Sequence, residues 1–179
     1  MKIFRKVLSA ALVATMLFSL TACGKKVVKI DEDDFVDALE DNIEWEERQQ
    51  YVYIEDTTVY ATNFEDPDDS FDYDADVYIS GMDHGETDYS VYCQYIIFDD
   101  EDDANEYFAN YYEAMAEDND DASKKYKEGE SGYFIDINVE DGFHGVYYAE
   151  DMVFELRAYN EESVKAVKTM LKDFDLPTK

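Results

Sequence analysis

The side chains in this chain best suited to chemistry are carboxylates, and they come in clusters. Asp72-Tyr73-Asp74-Ala75-Asp76 has the alternate-residue spacing with which an EF-hand loop begins. That loop needs glycine at its sixth position and glutamate at its twelfth, where this chain has Val77 and Asp83. Strand alternation explains the same aspartates as a solvent-facing row. Glu65, Asp66, Asp68 and Asp69 lie in a polar break around Pro67. Carboxylates on such a loop could converge on a hard cation, so Asp66, Asp68 and Asp69 are the metal candidates, with Ca²⁺ the ion their oxygens suit. Asp118, Asp120 and Asp121 form a second such loop, again without a recognised ligand spacing. The acids at 99–103 are explained more simply, as the first turn of a helix whose dipole favours negative charge.

The remaining reactive types are sparse. His84 and His144 are the only histidines. Each lies at or beside a turn, where an exposed imidazole is expected, and neither has the paired spacing of a zinc site. Cys93 sits mid-strand between Tyr92 and Gln94, in a segment that reads as buried, and an acidic chain offers no electropositive setting to activate a thiol. With 45 acids, some carboxylate pair always falls at a glycosidase separation, so that observation selects nothing. No nucleophile, phosphate-loop or metal motif marks an enzyme, and a non-catalytic protein is expected. Of the 16 tyrosines, most alternate within strands and read as core. Tyr51 and Tyr53 are the candidates for a binding surface, because tyrosine on an uncovered sheet face can stack on a ligand or partner.

Charge narrows the partners. The 179 residues carry 15 Lys and Arg against 45 Asp and Glu, for a net charge of −30. Nucleic acid is excluded as a partner, since phosphate recognition rests on clustered cations. A 46% apolar and 16% aromatic content is too rich for a disordered acidic tail.

The amino terminus carries an address. Lys2, Arg5 and Lys6 precede an apolar run over residues 7–20, the layout of a secretory signal. Leu20-Thr21-Ala22-Cys23, followed by Gly24, resembles the lipobox of bacterial lipoproteins. That resemblance implies cleavage before Cys23, a diacylglycerol on its sulfur, fatty acylation (palmitate among the chains) and residence on the extracytoplasmic face of the cell membrane. By overall pattern the body is similar to small uncharacterised lipoproteins of Gram-positive anaerobes, which implies surface display and transfers no functional residue. Removing residues 1–22, with three basic and no acidic side chains, leaves 157 residues with 12 basic and 45 acidic groups, net −33.

The elements follow from periodicity. Residues 23–30 read as the lipidated Cys and a short basic tether, and 31–179 as one acidic domain. A helix is expected over 31–48, capped by Asp31, with Phe35, Val36, Leu39 and Ile43 on one face and Trp45 off it. Strands are expected at 51–62, 71–80 and 88–98, with Phe71, Tyr73, Ala75, Val77 and Ile79 on one face of the second. A helix over 99–117 buries Ala104, Phe108, Tyr111 and Met115, and a polar loop spans 118–131. Strands at 133–139, 143–149 and 152–159 follow, with turns at Asp141-Gly142 and Glu150-Asp151. A last helix is capped by Asn160 and carries Val164, Val167, Leu171 and Phe174 as its apolar stripe. The expected class is therefore α+β. Its antiparallel sheet has about six strands, in two three-stranded meanders each followed by a helix. An N-terminal helix is added, and the helices lie mainly on one sheet face. The functional expectation is a lipid-anchored extracytoplasmic binding or interaction module, its partner a protein or a cationic ligand and its oligomeric state open. The alternative is a Ca²⁺ binder or accessory subunit of an envelope complex.

Overall fold

Phe35, Leu39 and Ile43 recur every four residues behind a run of acids, so one edge of the first helix is apolar and its positive end is neutralised. In a computed structural model of the chain, which describes residues 26–43, 51–62, 70–84, 89–137 and 142–179, helix α1 spans Glu32–Asn42. All three apolar residues are buried. Asp31 holds the N-cap position, but its side chain accepts no capping hydrogen bond, contrary to expectation. Residues 44–48 of the expected helix, with Trp45, lie outside the described residues.

Strands β1 (Val52–Thr62), β2 (Ser70–His84) and β3 (Tyr89–Phe98) form an antiparallel meander, followed by helix α2 (Glu101–Asp118). Strands β4 (Ser123–Lys127), β5 (Glu130–Asp136), β6 (Phe143–Ala149) and β7 (Met152–Ala158) form a second, followed by helix α3 (Glu161–Asp173). Antiparallel pairing of β3 with β7 joins the meanders into one sheet, in the order β1-β2-β3-β7-β6-β5-β4. The α+β class and the antiparallel sheet agree with expectation, but the sheet has seven strands rather than about six, and the second meander has four rather than three. The extra strand is β4, read from sequence as part of a polar loop. Its SKKYK sequence has no apolar alternation because it is an edge, and lysines along an edge deter pairing with another chain.

Helices cover both sheet faces, which corrects the expectation that they lie mainly on one. Phe35, Leu39, Val167, Met170 and Leu171 of α1 and α3 pack on Tyr95, Tyr147, Phe154 and Leu156. On the opposite face, Ala104, Tyr107 and Phe108 of α2 pack on Ile96, Phe98, Val146, Tyr148 and Val153. The central strands β6 and β7 are buried on both sides, and their apolar residues are interrupted only by Gly145 and by His144, Glu155 and Arg157 on the α2 face.

The alternation of β2 also breaks. Tyr73 and Ala75 belong to the α2 face, whereas Val77 and Ile79 belong to the α1/α3 face. A bulge does this: the register with β3 shifts between Ala75 and Val77, leaving Asp76 extra. Opposite it, between the paired Glu55 and Thr57 of β1, Asp56 takes a left-handed conformation with φ 48°. Asp72, Asp74 and Asp76 are exposed, as expected.

Buried tyrosine hydroxyls tie both ends of the body to the sheet. Tyr95 donates to the Ile30 carbonyl at 2.6 Å, and Tyr147 to the Pro177 carbonyl at 2.7 Å. Helix α2 is capped by Asp100, which accepts from the Asp103 amide at 2.9 Å, and α3 by a capping box of Asn160 and Ser163. Gly145 lies between the rings of Phe143 and Tyr147: an added Cβ would sit 2.8 Å from Tyr147 Cε2 and 2.9 Å from Phe143 Cε1. Gly145→Ala is expected to cost about 1–3 kcal/mol by overpacking, read as a lower midpoint in urea unfolding; an unchanged midpoint contradicts the packing.

Candidate functional site

Two charged residues at alternate positions of an apolar strand must share a face. In β7 these are Glu155 and Arg157, and they face α2. Arg157 lies directly opposite His144 on β6, and Tyr92 on β3. The Arg157 Nε donates to Glu155 Oε1 at 2.5 Å, and His144 Nε2 lies 2.7 Å from the same oxygen. From α2, the Tyr111 hydroxyl donates to Glu155 Oε1 at 2.9 Å and accepts from an Arg157 terminal nitrogen at 2.7 Å. The guanidinium also lies over the Tyr92 ring, 5.6 Å from its centroid.

Electrostatics keep Glu155 and Arg157 ionised. Burial pushes the Glu155 carboxyl up, but the His144 hydrogen bond and the Arg157 charge more than offset that, and its pKa falls below the ordinary value. Tyr111 is raised, by burial first and then by Glu155. The hollow against Tyr107, Tyr111 and Glu155 holds about 10 Å³, room for no more than one water. The arrangement therefore anchors α2 to the sheet and leaves no space for a substrate. His144, expected to be an exposed turn residue, is 5% exposed and part of this network.

An open cleft lies elsewhere, where the chain enters the body. It encloses about 660 Å³, a volume ordinary for a small-ligand site. Val27, Val28, Tyr148 and Ala149 line it, with Glu101, Asp102, Glu128, Glu130 and Glu150 set against Lys26 and Lys125. Turns bring these groups together. Glu101 and Asp102 open α2, Glu128 and Gly129 (φ 72°) connect β4 to β5, and Glu150 (φ 58°) begins the β6–β7 turn. Lys127 pairs with Glu130, and its hydrogen bond and charge hold the Glu130 carboxyl below the ordinary range. Lys29 bridges to Asp151 at 2.7 Å beside the β6–β7 turn.

Packing at this end begins at Val27, earlier than the domain start expected at Asp31. Val27 and Ile30 are 2% and 5% exposed and belong to the core. The Ile30 amide donates to Met152 Sδ at 3.3 Å. Half of the expected tether is thus body.

A third feature is crowding of like charge at the bulge. Asp99 and Asp103 have raised pKa values, through loss of hydration first; Asp76, Asp74 and Asp56 raise Asp99 further, and Asp100, Glu106 and Asp74 raise Asp103. Among the described residues, no group of three or more His, Cys, Asp and Glu is arranged to hold a metal ion. Raising NaCl from about 0.01 M to about 0.15 M shortens the screening length from about 30 Å to about 8 Å and is expected to raise the melting temperature. Millimolar Ca²⁺ is expected to raise it as well. A melt flat across both series contradicts the account of self-repulsion.

The other sequence candidates fall as follows. Tyr51 and Tyr53 lie on the α1 side, where their hydroxyls donate to Glu40 at 2.8 Å and Glu32 at 3.1 Å. Cys93 is fully buried, and burial pushes its thiol up to about 12, so it carries no thiolate at neutral pH. Asp66, Asp68, Asp69 and Cys23 lie outside the described residues. Sequence reading placed 152–159 as a strand and missed the cluster, although two charges inside MVFELRA were its available signal. The cleft had no such signal, since its rim comes from four separate segments. No helix among the described residues is long and apolar enough to cross a membrane. Compared with protein-family models, curated proteins and solved structures, the chain matches none.

Proposed function

We propose that this chain is a lipid-anchored extracytoplasmic lipoprotein whose body is a non-catalytic binding module for a cationic ligand or a basic protein segment. The observation that carries the binding reading is the cleft of about 660 Å³, with five carboxylates and two lysines around an apolar floor. Such a rim attracts cations, and the apolar floor of Val28 and Tyr148 accepts the methylene stems between them. The anchor reading rests on the leader and on Leu20-Thr21-Ala22-Cys23.

Titration of the full chain with spermidine and with a lysine-rich peptide, followed by calorimetry, tests the cleft. Saturable binding that weakens with salt and is lost in the Glu128→Gln/Glu130→Gln double variant supports it. Binding that is absent, or unaffected by the double variant, overturns it. Ca²⁺ binding is the second reading, and it rests on the sequence of the acidic loop that carries Asp66, Asp68 and Asp69. It requires Ca²⁺ to raise the melting temperature beyond NaCl of equal ionic strength.

A further inference from the structure

The placement of Val27 decides which end of the body meets the membrane. Only Gly24, Lys25 and Lys26 separate Cys23 from Val27, a buried core residue. Four residue steps span at most about 14 Å when fully extended. On the reading of Cys23 as the lipidated residue, on which this inference rests, the acyl chains fix that sulfur at the bilayer surface. The sheet end at Val27 must then stand within that distance of the headgroups.

We propose that this end, carrying the cleft between the α2 N-terminus and the β4–β5 and β6–β7 turns, is the membrane-apposed surface, and that the cleft opens into the water layer against the bilayer. The opposite end, with Ile137 after β5 and Glu161 at the start of α3, points outward. Strand β7 has seven residues, so the two ends are about 20 Å or more apart. The docked segment cannot swivel freely. Lys29 is paired with Asp151, Tyr95 holds the Ile30 carbonyl, and Val27 is in the core. Charge sets the standoff: the rim carries Glu101, Asp102, Glu128, Glu130 and Glu150, which anionic headgroups repel, so the cleft is held open rather than pressed shut.

The test uses the full chain, processed and lipidated in a bacterial host and reconstituted into phosphatidylglycerol/phosphatidylethanolamine vesicles. A fluorophore is attached through Asp102→Cys or Glu128→Cys at the cleft end, or through Ile137→Cys or Glu161→Cys at the far end. Buried Cys93 leaves labelling to the new thiol. Spin-labelled headgroup lipid is expected to quench the two cleft-end labels several-fold more than the two far-end labels. Equal or reversed quenching on chains that float with the vesicles overturns the orientation and leaves the anchor standing. Chains that do not float overturn the anchor, and the orientation with it.

Discussion

Glu155→Ala is expected to lower the free energy of unfolding by about 3 kcal/mol or more, measured in urea. Removing one partner of a buried ion pair costs about 3–5 kcal/mol, because the charge left behind keeps its desolvation and loses its compensation. Glu155 Oε1 is the shared acceptor for His144, Arg157 and Tyr111, so one substitution strips three polar groups at once. The Arg157 side chain is 38% exposed and can turn toward water, which places the cost at the lower end. A change under about 1 kcal/mol contradicts the network. The same variant is expected to alter the acid limb of stability. Glu155 has a lowered folded-state pKa, so its contribution is present above 4.5 and is lost as pH falls through that lowered value. Asp99 and Asp103 have raised values, so their repulsion is relieved as pH falls toward 3.8. The melting temperature of the unsubstituted protein should therefore rise as Asp99 and Asp103 take up protons, and fall at lower pH as Glu155 does. The gap to Glu155→Ala should narrow on that acid limb. A gap constant down to pH 2 contradicts the assignment.

Phe35→Ala is expected to cost about 3–5 kcal/mol, through lost burial and a cavity under α1. Its ring is fully buried, stacked on Tyr95 at 4.5 Å and tilted against Phe154 at 5.6 Å. The helix that carries it has no side-chain cap and no basic residue in its last turn, so tertiary packing is its main support. Loss of that ring should also loosen Val27 and Ile30, which share its core. Amide exchange at Ile30, whose N–H is held by Met152, reads this directly. A urea midpoint unchanged by Phe35→Ala, with Ile30 still protected, would show α1 to be dispensable.

The fold was legible where one periodicity dominated. Phe108 and Ala104 in α2, and Val167 and Leu171 in α3, recur at helical spacing and are buried. Asn160 ahead of an apolar stripe announced a cap, and the structure completes it with Ser163 into a capping box. Legibility failed where backbone geometry overrides the pattern. Phe71 to Ile79 alternates without a break, yet the bulge at Asp76 sends its two halves to opposite faces, because an extra residue leaves no mark in hydrophobicity. It failed again at β4, where an exposed edge looks like a loop. The buried thiol of Cys93 was legible from its apolar neighbours, whereas the burial of His144 was not. A histidine beside a turn reads as wet until β7 brings Glu155 and Arg157 against it. The cleft depends on three turns and the entering chain meeting at one end of the sheet, which no local window contains.

Intact mass spectrometry of the protein extracted from membranes tests the proposed lipid anchor, on which the orientation rests, most directly. The account predicts a chain beginning at Cys23, heavier than the peptide mass by a diacylglycerol and, with the amino group acylated, a further fatty acid. A soluble chain that retains residues 1–22 and an unmodified sulfur at position 23 would contradict it.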